Sequence, residues 1–361
     1  MALSLIIPEK IAQEVPMKTA VANLFFSIST SAYRVPFHIT NSVRSSSSMI
    51  DVRLELENGV VGLGQASPSF RVNGEQIRAL MGYREDILDA IRGMDVLAYR
   101  RLFDVLDGYS RSAPSLKAAV QYAVLDAMSQ HLGVPVSTLL GGKKEYVETD
   151  LTIGIDTLEN TVSRSREAFE AGFDVLKLKV GEDLASDIQR VLAVHEAVPQ
   201  ARFIVDANLG FTPKQAIAFG QEMARNNVPI AVFEQPVGVE DVEGIRLVRR
   251  NCVYPVGADE MVKTRFDALR LIRRDAVDFI NIKLMKAGIS DALAIVEMAR
   301  SAHVSLMIGC MSETGMGIAQ GVHFASGTGA FAYHDLDTIF LAKEYTPLRF
   351  RVEKNRLYPT M

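Results

Sequence analysis

The feature that most constrains this chain is a repeat of pattern without a repeat of letters. From Glu148 onward, short apolar runs recur: ETDLTIGI (148–155), DVLKLKV (174–180), RFIVDA (202–207), IAVFEQ (230–235), YPVGADE (254–260), VDFINIK (277–283), VSLMIG (304–309) and FAYHDLD (331–337). Their starts fall 26, 28, 28, 24, 23, 27 and 27 residues apart. Between them, stretches such as SDIQRVLAVHEAV and DALAIVEMAR carry apolar residues at three- and four-residue intervals, the spacing of a helix face. Thr212-Pro213 and Ser290 before Asp291 read as helix starts. Eight strands alternating with helices at this spacing predict a (β/α)8 barrel. Periodicity alone leaves a doubly wound open sheet as the alternative.

The first 140 residues follow another plan. Ala20–Ile39 and Met49–Leu63 read as β segments, the second broken by the hairpin signal Glu57-Asn58-Gly59. Helical patterns follow at 74–93, 96–107 and 116–132. An α+β domain over 17–142 is therefore expected, ending at Gly141-Gly142, with the barrel over 143–339 and a tail, 340–361, returning to the first domain. A length of 361 residues suffices for both units. The apolar stretch Met1–Ile7 is closed by Pro8, Glu9 and Lys10, so its positive charge comes after it, unlike a secretory segment. Residues 1–16 are expected to form an N-terminal extension of a cytoplasmic protein. No apolar run approaches the roughly 20 residues of a membrane helix. A net charge of -4 offers no basic stripe for nucleic acid. Two cysteines, Cys252 and Cys310, are too few for a disulfide framework or a zinc cluster.

In such a barrel, chemistry gathers at the C-terminal ends of the strands. Those ends carry Lys179, Asp206, Glu234, Asp259 and Lys283, on strands two to six, separated by 27, 28, 25 and 24 residues. Five side chains therefore converge on one mouth, three carboxylates flanked by a lysine on either side. Three converging carboxylates repel one another unless a cation neutralises them, and all-oxygen ligation favours Mg²⁺, one per subunit. A metal on a substrate carboxylate stabilises the charge that forms when the neighbouring carbon loses its proton. A lysine acts as the base only when neutral, so nearby positive charge or desolvation must depress its pKa. Lys177 shares a strand face with Lys179 and is a candidate auxiliary residue; a purely structural pairing with Glu260 is the alternative.

These residues resemble a known family. Lys177-Leu178-Lys179, Asp206-Ala207-Asn208, Glu234-Gln235-Pro236, Asp259-Glu260 and Asn281-Ile282-Lys283 look like the signature of the muconate-lactonizing subgroup of the enolase superfamily. The segment AAVQYAVLDAMSQHLGVPVSTLLGG (118–142) is similar to the one joining that family's capping domain to its barrel. The resemblance implies an enolase-type modified barrel with an α+β capping domain. It also implies metal binding by Asp206, Glu234 and Asp259, with Lys179 and Lys283 as acid/bases on opposite faces of the substrate. Strand seven ends in Gly309-Cys310-Met311-Ser312-Glu313, without the histidine base of the mandelate-racemase branch. Lys286-Ala287-Gly288-Ile289 departs from the family pattern in having one glycine where relatives often carry a pair.

Within the subgroup, His334-Asp335-Leu336-Asp337 resembles the motif by which dipeptide epimerases hold their substrate's ammonium group. Two carboxylates on one face suit a cation, and an enzyme acting on a purely anionic substrate should avoid them. Thr152 falls where the family places a polar substrate contact. Arg44, in the segment FHITNSVRSSSSM (37–49) read as a mobile loop, would suit an acidic side chain such as that of L-Ala-Glu. The expected function is thus 1,1-proton transfer at the α-carbon of a dipeptide's C-terminal residue, via an enediolate, by a homo-oligomeric isomerase. The alternatives are a lyase or cycloisomerase like muconate cycloisomerase or o-succinylbenzoate synthase, an N-acylamino-acid racemase, and a non-catalytic barrel that binds a metabolite.

Overall fold

The computed structural model describes residues 19–39, 42–109 and 112–361; the expected extension at 1–16 lies outside them. Strands β1 (Val21–Ile39), β2 (Ser42–Leu56) and β3 (Val61–Ala66) form an antiparallel sheet in that order. Alternation along β2 buries Ile50, Val52 and Leu54. Asn58 and Gly59 make the β2–β3 turn as expected: Gly59 takes φ 82° and the Val60 amide donates to Asn58 Oδ1 at 3.0 Å. The helix Pro114–Leu132 packs on β3, because Gly62 and Gly64 leave no Cβ to strike the Ala123 and Ala119 carbonyls.

In the segment read as a loop at 37–49, the described residues 37–39 and 42–49 instead belong to the paired strands β1 and β2. Ser46, Ser47 and Ser48 pair with Ala32, Ser31 and Thr30. Serine is a weak strand former, so its run looked like loop; the long partner strand supplies the ladder that decides. At Tyr33 the hairpin leans on the barrel, the phenol donating to Ser312 Oγ at 2.6 Å.

After the short strand β4 (Val147–Glu148) come the eight parallel strands of the barrel: β5 (Leu151–Ile153), β6 (Val175–Lys179), β7 (Arg202–Asp206), β8 (Ile230–Glu234), β9 (Val256–Ala258), β10 (Phe279–Lys283), β11 (Ser305–Gly309) and β12 (Tyr333–Asp335). Each neighbours its successor. The seam between β5 and β12 is nearly closed by the Asp150 amide to the His334 carbonyl at 2.9 Å. Two side chains complete it: Asp337 Oδ2 accepts from the Thr152 amide at 2.6 Å, and Thr149 Oγ1 from the Leu336 amide at 2.8 Å. Ile204, Val232, Phe279 and Met307 form an apolar cluster of their own. Ile204 and Val232 lie two residues before Asp206 and Glu234, so this cluster is the barrel filling beneath the mouth.

Thr212 caps the helix Pro213–Arg225 with a reciprocal Gln215 bond, as its sequence predicts. The helical segment Leu284–Ser301 after β10 is two helices meeting at a kink at Gly288, whose φ of 73° only glycine adopts freely, so the second helix starts within two residues of Ser290, where a start was expected. The tail forms strands β13 (Phe350–Glu353) and β14 (Arg356–Pro359), which pair with each other, and β14 pairs with β4 rather than with the capping sheet. It still reaches the capping domain, through Arg349 to Asp126 at 3.2 Å and the Lys343 amide to the Ala32 carbonyl at 2.8 Å.

Candidate active site

Asp206, Glu234 and Asp259 are buried to within 1% at the ends of three adjacent strands, and one oxygen from each lies within 4.8 Å of the others. The backbone bends sharply beside them: Asn208 and Gln235 take φ 39° and 38°. Gln235 Oε1 accepts from the Asp259 and Met261 amides at 2.9 and 3.2 Å, which holds the turn after β9. Asn281 donates to Glu234 Oε1 at 2.6 Å, and the Asn208 amide to Asp206 Oδ1 at 2.9 Å.

Four lysines answer these carboxylates. Lys179 reaches Asp206 at 2.6 Å and Lys283 reaches Asp259 at 2.7 Å. Lys286 also binds Asp259. Lys177, 1% exposed, touches Asp206 at 3.1 Å, Glu234 at 2.8 Å and Asp335 at 2.7 Å. The structural alternative for Lys177 named Glu260, but Glu260 is held by Asn208 at 3.1 Å instead. Burial opposes the charge on Asp206, yet Lys179 and Lys177 outweigh it and hold the carboxyl down at about 2. Burial likewise opposes Asp259, where Lys283, Lys286 and Lys177 prevail and the carboxyl lies well below the usual range. Glu234 is pushed up by burial and by Asp206. Burial and then Asp259 raise Glu260 to about 7.

Across the mouth, Asp335 ends β12 and Asp337 follows it, just beyond the strand, before the helical turn Thr338–Leu341. Their carboxylates lie within 4.8 Å of each other and of Cys310 Sγ. Burial and Asp335 raise Asp337 to about 6. Thr152 is buried between them, its amide on Asp337 and its hydroxyl 3.5 Å from Asp335 Oδ1. The backbone of Arg44 pairs with Phe37 in the hairpin; its side chain lies outside the described residues.

The donor set suits a hard divalent cation: three carboxylates, no nitrogen or sulfur. Glu234 Oε2 and Asp259 Oδ2 are in ion-pair reach of Lys177 and Lys283, but no described residue hydrogen-bonds to them in good geometry. Buried carboxylate oxygens left without a hydrogen bond are what a metal would satisfy.

A pocket of about 150 Å³ opens on this mouth, lined by Lys179, Lys283, Thr152, Asp335 and Asp337 from the barrel and by Tyr33, Ser69, Arg71 and Val72 from the capping domain. Several groups in and beneath this mouth escaped the sequence reading. Lys286 stands one helical turn after Lys283, and Asp150 two residues before Thr152 on the same face, so both had a spacing signal. Asp150 is 3% exposed, and neither of its oxygens has a hydrogen-bond partner among the described residues. Glu313 is raised to about 7 by burial. Arg71 and Tyr33 had no signal; only the fold brings them over the barrel.

Residues 23–141 match the N-terminal domain of the mandelate racemase/muconate lactonizing enzymes, and residues 160–360 match the enolase C-terminal domain-like family. The chain is 51% identical to the L-Ala-D/L-Glu epimerase of Thermotoga maritima over 90% of its own length and 94% of that protein. It superposes on a substrate-liganded complex of the L-Ala-D/L-Glu epimerase from Bacillus subtilis with a TM-score of 0.92, at 29% identity over 94% of this chain and 96% of the other. The dipeptide epimerase of Enterococcus faecalis, complexed with Mg and L-Leu-L-Tyr, superposes with a TM-score of 0.90 at 33% identity, over 94% and 97% of the two chains. Domain matches along both halves, a relative sharing half its residues and a common architecture agree: this chain belongs to the mandelate racemase/muconate lactonizing enzyme family of the enolase superfamily.

Proposed function

We propose that the chain is a Mg²⁺-dependent dipeptide epimerase, moving a proton on and off the α-carbon of the C-terminal residue. The observation that carries this reading is where the strand order puts four side chains. Lys179 and Lys283 end β6 and β10, four strands apart in a ring of eight, so they face each other across the mouth. Glu234, central in the carboxylate triad, ends β8, and Asp335 ends β12, on the perpendicular axis. A dipeptide laid along that second axis puts its carboxylate at the triad and its ammonium at Asp335 and Asp337. Its α-carbon then lies between the lysines.

Asp206, Glu234 and Asp259 would hold the metal, which when bound supplies positive charge to stabilise the developing negative charge of the substrate carboxylate. Lys179 or Lys283, whichever is neutral, takes the α-proton from its own side. The other, still an ammonium, returns a proton from the opposite side and inverts the centre. Lys177 balances charge on both acidic clusters. Asp335 and Asp337 select a free amino terminus, which an N-acylamino acid or a cycloisomerase substrate lacks. The capping domain closes the pocket over the peptide.

A cytoplasmic location, self-association and the unit boundaries at 142/143 and 339/340 belong to the same proposal; light scattering after gel filtration tests the second. The reaction itself is tested by incubating the protein with Mg²⁺ and a dipeptide library in D₂O and reading mass. One deuterium per peptide with loss of stereochemical purity at the α-carbon is expected. Elimination or cyclisation products, or no exchange in any dipeptide, would overturn the reading.

A further inference from the structure

We infer that Arg71 is the specificity-determining residue that draws an acidic side chain at the reacting position of the peptide. This deepens the dipeptide reading and rests on it. The pocket has three cationic side chains among the residues that line it: Lys179, Lys283 and Arg71. The two lysines are committed to Asp206 and Asp259. Arg71 has no ion pair or hydrogen bond with any described residue, although it stands on the rim of a strongly acidic mouth. The other capping-domain residues that line the pocket, Tyr33, Ser69 and Val72, are all neutral. A peptide with its backbone spent on the triad, the lysines and the two aspartates has only its side chain left to turn toward this wall.

The turn that carries Arg71 is fixed to the catalytic end of the barrel. Ser69 caps the helix Phe70–Asn73 by accepting from the Val72 amide at 3.3 Å, and Gly74 closes it at φ 73°. Asn73 donates to the Met285 carbonyl at 3.0 Å, and Ser67 to Met285 Sδ at 3.4 Å, two residues past Lys283. Glu75, 4% exposed, ties the far side by accepting from the Ser115 amide at 2.9 Å. Arg71 is thus presented on a short, pinned turn whose position follows that of Lys283. A guanidinium forks around a carboxylate in a way a neutral amide cannot match. A pocket with an unpaired cation discriminates a glutamate side chain from its isosteric glutamine.

The test compares kcat/KM for L-Ala-L-Glu and L-Ala-L-Gln, in the Mg²⁺-loaded wild type and in Arg71→Met and Arg71→Lys. The wild type should prefer the glutamate peptide, and Arg71→Met should lower that preference about tenfold, chiefly through KM. Arg71→Lys should restore part of it, which a merely structural loss would not. An unchanged Glu/Gln ratio in Arg71→Met, or no preference in the wild type that still epimerizes L-Ala-L-Gln, overturns the role of Arg71 alone. Failure of the wild type to epimerize either peptide removes the dipeptide reading and this inference with it.

Discussion

The two acidic ends of the mouth differ in how their charge is balanced. At the triad, Asp206, Glu234 and Asp259 are met by Lys177, Lys179, Lys283 and Lys286, and two of the three carboxyls lie far below the usual range. At the opposite end, Lys177 on Asp335 is the one ion pair among the described residues, and burial and mutual repulsion raise Asp337 and Asp150. In the proposed reading the first end would hold the divalent cation, and the second, with fewer cations in ion-pair reach, would take a monovalent cation such as a peptide ammonium. Lys177 is the side chain that touches both.

Removing the charge that defines the first end should have the largest effect. Glu234→Gln keeps shape but loses a ligand, and should cut epimerization on the order of a thousandfold while abolishing the rise in Tm that Mg²⁺ gives the wild type. Chelation of the wild type should silence it in the same way, reversibly on adding Mg²⁺. Second, Lys177→Met deprives three buried carboxylates of their shared counter-charge and should destabilise the fold by about 3 kcal/mol or more in urea titration. Loss of activity with unchanged stability would mean that the two ends are not coupled through it.

The second end gives a smaller effect. A charge-assisted hydrogen bond of about 1.5–3 kcal/mol lost in Asp337→Asn should lower kcat/KM on a free dipeptide roughly tenfold or more. Equal turnover by the wild type of that dipeptide and its N-acetylated form would show that the ammonium is not recognised. The smallest effect lies away from the mouth. His323 accepts from the Ser137 amide at 3.0 Å through Nδ1 and meets the Arg349 carbonyl at 2.7 Å through Nε2, joining a barrel helix to the segment after the capping helix and to the tail. Burial holds its pKa down at about 4, from the usual 6.5. Between those values the unfolded chain binds a proton that the folded chain does not, so stability falls as pH is lowered through that window. A loss of about 1 kcal/mol between pH 6.5 and 5.5 is expected, and His323→Gln should flatten it.

What the sequence made legible follows the same division. The barrel strands and the residues at their ends were readable because each βα unit resets the same register, so Lys179, Asp206, Glu234, Asp259 and Lys283 announce themselves by spacing. The capping wall was not. Nothing local says that Ser45–Ser48 extend a hairpin, because a long partner strand decides it. Nothing local says that the four-residue helix carrying Arg71 is pinned through Asn73 to Met285, because that contact spans more than two hundred residues of chain. The seam was missed for a related reason: Asp337 reads as a ligand by motif, while one of its oxygens also fastens Thr152 and helps to close the barrel. That double use predicts that Asp337→Asn, which keeps an acceptor for the Thr152 amide, is tolerated structurally better than Asp337→Ala.

The central claim is that two lysines work from opposite sides of one carbon. It is tested most directly by following the α-proton of each epimer by NMR in D₂O with Lys179→Ala and Lys283→Ala. The account predicts that neither variant epimerizes, and that each exchanges the proton of one epimer only, the two variants choosing opposite epimers. Two-way epimerization by either single variant, or exchange of the same epimer by both, would contradict it.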